Sequence, residues 1–139
     1  MTKEKNILYT GGFELLDKNA AAQRVVNNSK LLTELKYNVF FNGISKSIDK
    51  NDSHFHKLDV ENFNFFSKET KYPTTIKNWF HYITSFSSLK QIIENDLDSN
   101  VSIVIAYNYP AIKLWKLRQY CKKKKIKIIA DVTEWYQPE

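Results

Sequence analysis

Cysteine, methionine, glycine and proline are scarce in this chain: of 139 residues, Cys and Met account for 1 each and Gly and Pro for 3 each. A lone Cys121 cannot close an internal disulfide and offers no cysteine spacing for zinc, so redox chemistry has no support and a reducing cytoplasm is the expected setting. No apolar run approaches the ~18 residues of a membrane-crossing helix. The opening Met-Thr-Lys-Glu-Lys-Asn leads into an apolar stretch too short for a secretory signal, and a soluble protein is expected. Few glycines also exclude the phosphate cradles built from them. A dinucleotide site wants Gly-x-Gly-x-x-Gly and an acid ending the second strand, but here Gly11-Gly12 stand alone and that strand ends Phe41-Asn42-Gly43. The P-loop pattern is missing, and Thr10-Gly11-Gly12 stand where a phosphate-receiving site needs carboxylates. Arginine is nearly absent too, so the net charge of +6 rests on lysine, a hydrated point charge rather than a bidentate fork.

What is present is alternation. Five runs rich in β-branched and apolar residues predict strands at Asn6–Thr10, Asn38–Asn42, Phe55–Asp59, Val101–Ala106 and Lys127–Asp131. Most lack polar alternation, as in a parallel sheet covered on both faces. Between the first two, Asn19 is a candidate N-cap for a helix with Ala22, Val25, Val26, Ser29, Leu32 and Leu35 on one stripe. After Pro73-Thr74-Thr75, a 3.6-residue period through Ile76, Trp79, Phe80, Ile83, Phe86, Leu89 and Ile93 predicts one long helix. A third helix follows Pro110, with Ala111, Leu114, Trp115, Leu117 and Cys121 facing inward. Residues 44–53 read as loop and 61–72 as irregular, with Phe63, Phe65 and Phe66 pinning it to the core. The chain is long enough to bury about 70% of the surface its unfolded form exposes, and no repeat or linker interrupts it. One α/β domain over 1–139 is expected: a doubly wound parallel sheet of Rossmann-like type, ordered 3-2-1-4-5.

In that order the first and fourth strands are neighbours, and their C-terminal ends form a topological switch point. Gly11, Gly12, Tyr107 and Asn108 are then expected around one crevice, with Asp131 to Trp135 beside it. Paired glycines let a ligand approach backbone closely, and the following helix N-terminus favours a polar or anionic small molecule. The run Lys122–Lys125 has two readings: a solvated last helical turn complementing the helix dipole, or attraction to anionic lipid headgroups or nucleic acid. No recognition motif accompanies the charge, so no nucleic acid is expected as partner. His54 and His56 share an alternate-residue spacing without a nearby third ligand, and no metal is expected there. His81 reads as packing or surface.

Gly11-Gly12-Phe13, the helix start Ala20-Ala21-Ala22-Gln23-Arg24-Val25 and the terminal Asp131-Val132-Thr133-Glu134-Trp135-Tyr136 together resemble the N-terminal domain of GT-B glycosyltransferases of the family-4 type. The likeness covers essentially the whole chain and rests on three ordered segments set in a matching strand and helix alternation. It implies two Rossmann-like domains facing across a cleft, the N-terminal one chiefly binding acceptor and the C-terminal one most of the nucleotide-sugar. The implied activity is transfer of a hexosyl group to a glycan, lipid-linked or small-molecule acceptor without a required metal or other cofactor, in bacterial surface polysaccharide synthesis. A cytoplasmic location, with association at the inner membrane face, goes with lipid-linked acceptors.

Carried onto this chain, Gly11 and Gly12 resemble the loop approaching donor phosphates and acceptor; a plain tight turn is the other reading. Asn108, in Tyr107-Asn108-Tyr109-Pro110, stands where many relatives of that family carry a His contacting the transferred sugar. An amide cannot act as general acid or base, so a helix cap explains it equally. Asp131 and Glu134 are candidates for acceptor hydroxyls, with a turn role for Asp131 as the other possibility. The family's paired glutamates belong to its C-terminal domain. Glu61 and Glu69 share their spacing by coincidence, so this chain is expected to bind donor weakly and to transfer nothing without a C-terminal donor-binding domain or subunit. A non-catalytic α/β ligand- or partner-binding module remains the alternative function.

Overall fold

The computed structural model describes residues 5–15 and 19–133. The strand β1 (Lys5–Gly11) leads through α1 (Ala20–Glu34) to β2 (Tyr37–Asn42), and Asn19 caps the helix as expected, its Oδ1 accepting from the Ala22 amide at 2.9 Å. Then come the short β3 (Ile44–Ser45), β4 (His56–Val60), β5 (Phe63–Ser67) and the short β6 (Thr70–Lys71). The helix α2 (Ile76–Thr84) is followed by α3 (Ser87–Gln91), which runs into a π-helical turn at Ile92–Asp96. The chain continues through β7 (Ile103–Tyr107), α4 (Ala111–Lys124) and β8 (Lys127–Asp131).

These elements make an α/β fold around a mostly parallel sheet of 6 strands, ordered β4-β5-β2-β1-β7-β8, with β3 and β6 paired separately. Only β4 and β5 run antiparallel. The expected five-stranded sheet with Phe55–Asp59 beside the second strand is therefore corrected. Phe63–Ser67, expected to be irregular, takes that place, and the 56–60 strand folds back outside it. Burial explains the exchange. Phe65 is fully buried, its ring 5.2 Å from Phe41, while Phe66 stacks at 4.9 Å on Phe40, so β5 offers apolar groups to both faces and fits an inner position. The hairpin turn passes through Glu61 at φ 54°, without the Asn-Gly pair that usually announces such turns.

Each sheet face carries its own core. Ile7, Tyr9, Val39, Phe41 and Ile105 meet Val25 and Val26 of α1 on one face. On the other, Leu8 and Val104 meet Leu89, Ile93, Leu117 and Cys121. The long helix expected after Thr75 is broken. At Ser85 ψ is 134°, and the hydroxyl groups there bond locally: Thr84 Oγ1 donates to the Phe80 carbonyl at 2.7 Å and the Ser85 and Ser87 hydroxyls lie 3.0 Å apart. Such side chains compete with the helical ladder. As a result α2 turns its apolar stripe outward, leaving Ile76, Trp79 and Phe80 exposed, whereas Leu89 and Ile93 beyond the break are buried. Leu35 and Trp115, also expected inward, are exposed.

Candidate functional site

Three elements converge where β1 ends. Gly11 has φ 152°, and a Cβ there would run into the Tyr107 carbonyl of the neighbouring strand, so only glycine lets β1 and β7 close at this end. Gly12 is exposed, and a Cβ on it would meet nothing within 4 Å. Beside Gly11 opens a cavity of about 270 Å³ over the C-terminal ends of β1 and β2. Its floor is Thr10, Gly11 and Asn42; α2 contributes Asn78, His81 and Tyr82; the start of α4 contributes Tyr109 and Lys113; and residues 70–74 close the remaining side.

The floor is internally satisfied. Thr10 Oγ1 donates to Asn42 Oδ1 at 3.1 Å, and the Asn42 amide donates to the Lys68 carbonyl at 2.9 Å and the Thr70 hydroxyl at 3.2 Å. The α4 wall is different. Lys113 is only 7% exposed, and its Nζ lies 4.6 Å from the Tyr82 ring centre and 5.1 Å from that of Tyr109. Burial brings its ammonium down to about 8. Burial likewise pushes the Tyr82 phenol up to about 12, helped by Tyr72, and pushes Tyr109 up strongly, helped by Tyr82 and opposed by the nearby Thr10 hydroxyl, which stays outside hydrogen-bond geometry.

Of the residues singled out in the sequence, Gly11 lines this cavity and Gly12 follows it outward; Asn108 and Asp131 do not line it. Asn108, at φ 40°, clamps the end of β8: its amide N–H bonds the Asp131 carbonyl at 2.9 Å, its Nδ2 donates to Thr133 Oγ1 at 2.9 Å, and its Oδ1 accepts from the Thr133 amide at 3.1 Å. It does not cap α4, which starts after Pro110 without a side-chain cap. The Asp131 carboxylate faces the α1 side, accepting from Tyr9 Oη at 2.5 Å and Arg24 Nη2 at 2.8 Å. Burial alone would raise its pKa, but the bonds from Arg24 and Tyr9 outweigh that and hold it below the usual carboxylate value. Glu134 lies outside the described residues. His54 and His56 have ring centres 6.4 Å apart, and among the described residues no group of three or more metal-ligating side chains converges.

Lys113, Tyr109 and His81 went unrecognised as site residues. The signal for Lys113 was available: it precedes buried Leu117 and Cys121 by four and eight residues, on the same helical stripe, where a lysine has no reason to be unless its head reaches a cavity. No protein-family model, curated protein or solved structure matches the chain. Among the described residues no helix is long and apolar enough to cross a membrane.

Proposed function

We propose that this chain is the acceptor-side, Rossmann-like domain of a GT-B, family-4-type glycosyltransferase, moving a hexosyl group from a nucleotide-sugar to a glycan, lipid-linked or small-molecule acceptor in bacterial surface polysaccharide synthesis. One observation carries the reading: Gly11 ends β1 between β2 and β7, in the middle of a mostly parallel sheet, on the rim of a polar and aromatic cavity. Open α/β sheets take their ligands there. On this reading β5-β2-β1-β7-β8 is the Rossmann-like core and β4 an added outer strand. Gly11 and Gly12 admit the acceptor, Asn108 and Asp131 brace the end of β8 beside it, and Glu134 is left to bind acceptor hydroxyls. The donor belongs to a second domain, because groups must converge on the transferred sugar from both sides.

A seat at the inner membrane face has its own support. The helices α2 and α4 are tied by Lys116 Nζ donating to the Thr84 carbonyl at 2.6 Å, and both expose apolar groups, Ile76, Trp79 and Phe80 on one and Ile112 and Trp115 on the other. Lys122, Lys123 and Lys124 form the last turn of α4. Aromatic and lysine groups together suit an anionic bilayer surface, where lipid-linked acceptors lie.

The alternative is a non-catalytic α/β binding module that holds a small molecule in the same cavity. Glycosyl transfer decides between them. The domain, joined to a donor-binding domain, is assayed with nucleotide-sugars and with free and lipid-linked glycans; Gly12→Val is expected to abolish transfer while leaving the thermal melt nearly unchanged, since its side chain enters open space. Unimpaired transfer by Gly12→Val, or robust transfer by residues 1–139 alone, would overturn the acceptor-half reading. Ligand binding in the cavity without transfer to any acceptor would establish the module.

A further inference from the structure

Among the described residues the cavity wall holds two lysines, Lys71 exposed and Lys113 buried, and no carboxylate to meet them. Lys113 is 7% exposed, none of the lining residues is Asp or Glu, and among the described residues its ammonium has neither ion pair nor hydrogen bond. The Tyr82 and Tyr109 rings answer part of its charge but leave its N–H donors without an oxygen. Beside it, the Tyr109 hydroxyl is buried and has no hydrogen-bond partner among the described residues. Buried polar groups are nearly always bonded, so the open Tyr109 hydroxyl, beside an ammonium that faces the same cavity without a counter-charge, marks the place of an acceptor.

The rest of the lining describes the body attached to that acceptor. Asn78, Asn51 and Thr74 offer amide and hydroxyl groups beside the rings of Tyr72 and Tyr82, which are themselves packed against Trp79. Several amide and hydroxyl groups around one small cavity suit a polyhydroxylated guest such as a sugar, whose hydroxyls both donate and accept. A volume of about 270 Å³ limits the guest to a small molecule.

We propose that the Lys113 ammonium and the Tyr109 hydroxyl form the oxyanion-binding end of this cavity, which takes a monosaccharide-sized ligand carrying one acidic group, a phosphate monoester or a carboxylate. The inference concerns binding by this chain alone and is independent of sugar transfer.

Calorimetric titration at pH 7 with glucose 1-phosphate, glucuronate and neutral glucose tests it. At least one acidic probe is expected to bind in the millimolar range or tighter, at least about tenfold better than glucose, the better of the two acids identifying the anion. Lys113→Met is expected to remove that preference, and Tyr109→Phe, which keeps the ring, to weaken it several-fold. Lys122→Met, at the far end of α4, serves as the control for general positive charge and leaves binding intact. Equal affinity for charged and neutral sugar, failure of both acids to bind, or retention of the preference in Lys113→Met and Tyr109→Phe, would each overturn the assignment.

Discussion

Lys113 holds a positive charge where little water reaches, and the cost falls on the folded state. Its ordinary value of 10.5 is lowered by burial to about 8. Between those values the unfolded chain keeps a proton that the folded chain has lost, so this residue makes unfolding harder as pH rises through that window and weakens the fold below it. Lys113→Met keeps the aliphatic stem and deletes the charge. It is expected to raise stability at pH 7 by about 1–3 kcal/mol, the gain shrinking toward zero as pH approaches 10.5. Paired denaturant melts of native and variant protein at pH 7 and pH 10 measure this, and the common contributions of Cys121 and the tyrosines cancel in the difference. A gain of equal size at both values would show that Lys113 is solvated. Asp131 shows the opposite arrangement. Its position at the end of the last strand was legible in the sequence, but its partners Tyr9 and Arg24 lie 122 and 107 residues away, and it takes the register of β1 against β7 and β7 against β8, with α1 packed on that face, to bring them together.

At the scale of elements, the segments legible from sequence were those carrying a continuous apolar run or a single helical stripe. The apolar runs of β1, β2, β7 and β8 and the capped stripe of α1 lie within one or two residues of where periodicity places them. Residues 76–93 misled because a hydrophobic period records spacing, not which side finds a partner; the hydroxyl cluster from Thr84 to Ser88 breaks the helix and lets its two parts face differently. The strand β5 was hidden because its short Phe and Asn alternation breaks at Phe66 between polar flanks, and its place shows only when Phe65 is seen against Phe41. The same facts make α2 a weak element. It buries none of its residues fully and is tied to α4 through Lys116. Lys116→Met is expected to speed amide exchange across Ile76–Thr84 by about tenfold, the loss of roughly one charge-assisted hydrogen bond, while β1 and β7 keep their protection. Exchange in α2 unchanged by the substitution would mean that ring contacts, such as Tyr72 on Trp79 at 6.2 Å, hold it instead.

For the whole molecule, charge and apolar surface fall on related elements. The helices α2 and α4 wall the cavity with Asn78, His81, Tyr82 and Lys113 while exposing Ile76, Phe80, Ile112 and Trp115, and α4 ends in lysines. On the membrane reading proposed above, long-range attraction would bring this surface to an anionic bilayer and seating aromatic groups at the headgroup boundary would hold it there, so neither part would suffice alone. Sedimentation with vesicles separates the two contributions. Binding is expected to vesicles containing phosphatidylglycerol and not to pure phosphatidylcholine, and to fall steeply with salt because the charge term is screened over ~10 Å at 0.1 M. Replacing Phe80 and Trp115 together by Gln is expected to reduce the partition coefficient at least about tenfold, since each ring removed forfeits about 1 kcal/mol or more of apolar transfer. Because both positions are exposed, the melt of the protein should scarcely change. Salt-insensitive binding, equal binding to neutral vesicles, or binding that survives the double substitution would remove the membrane from the account. A concentration-dependent dimer abolished by the same substitutions would instead assign the apolar face to a second copy of the chain.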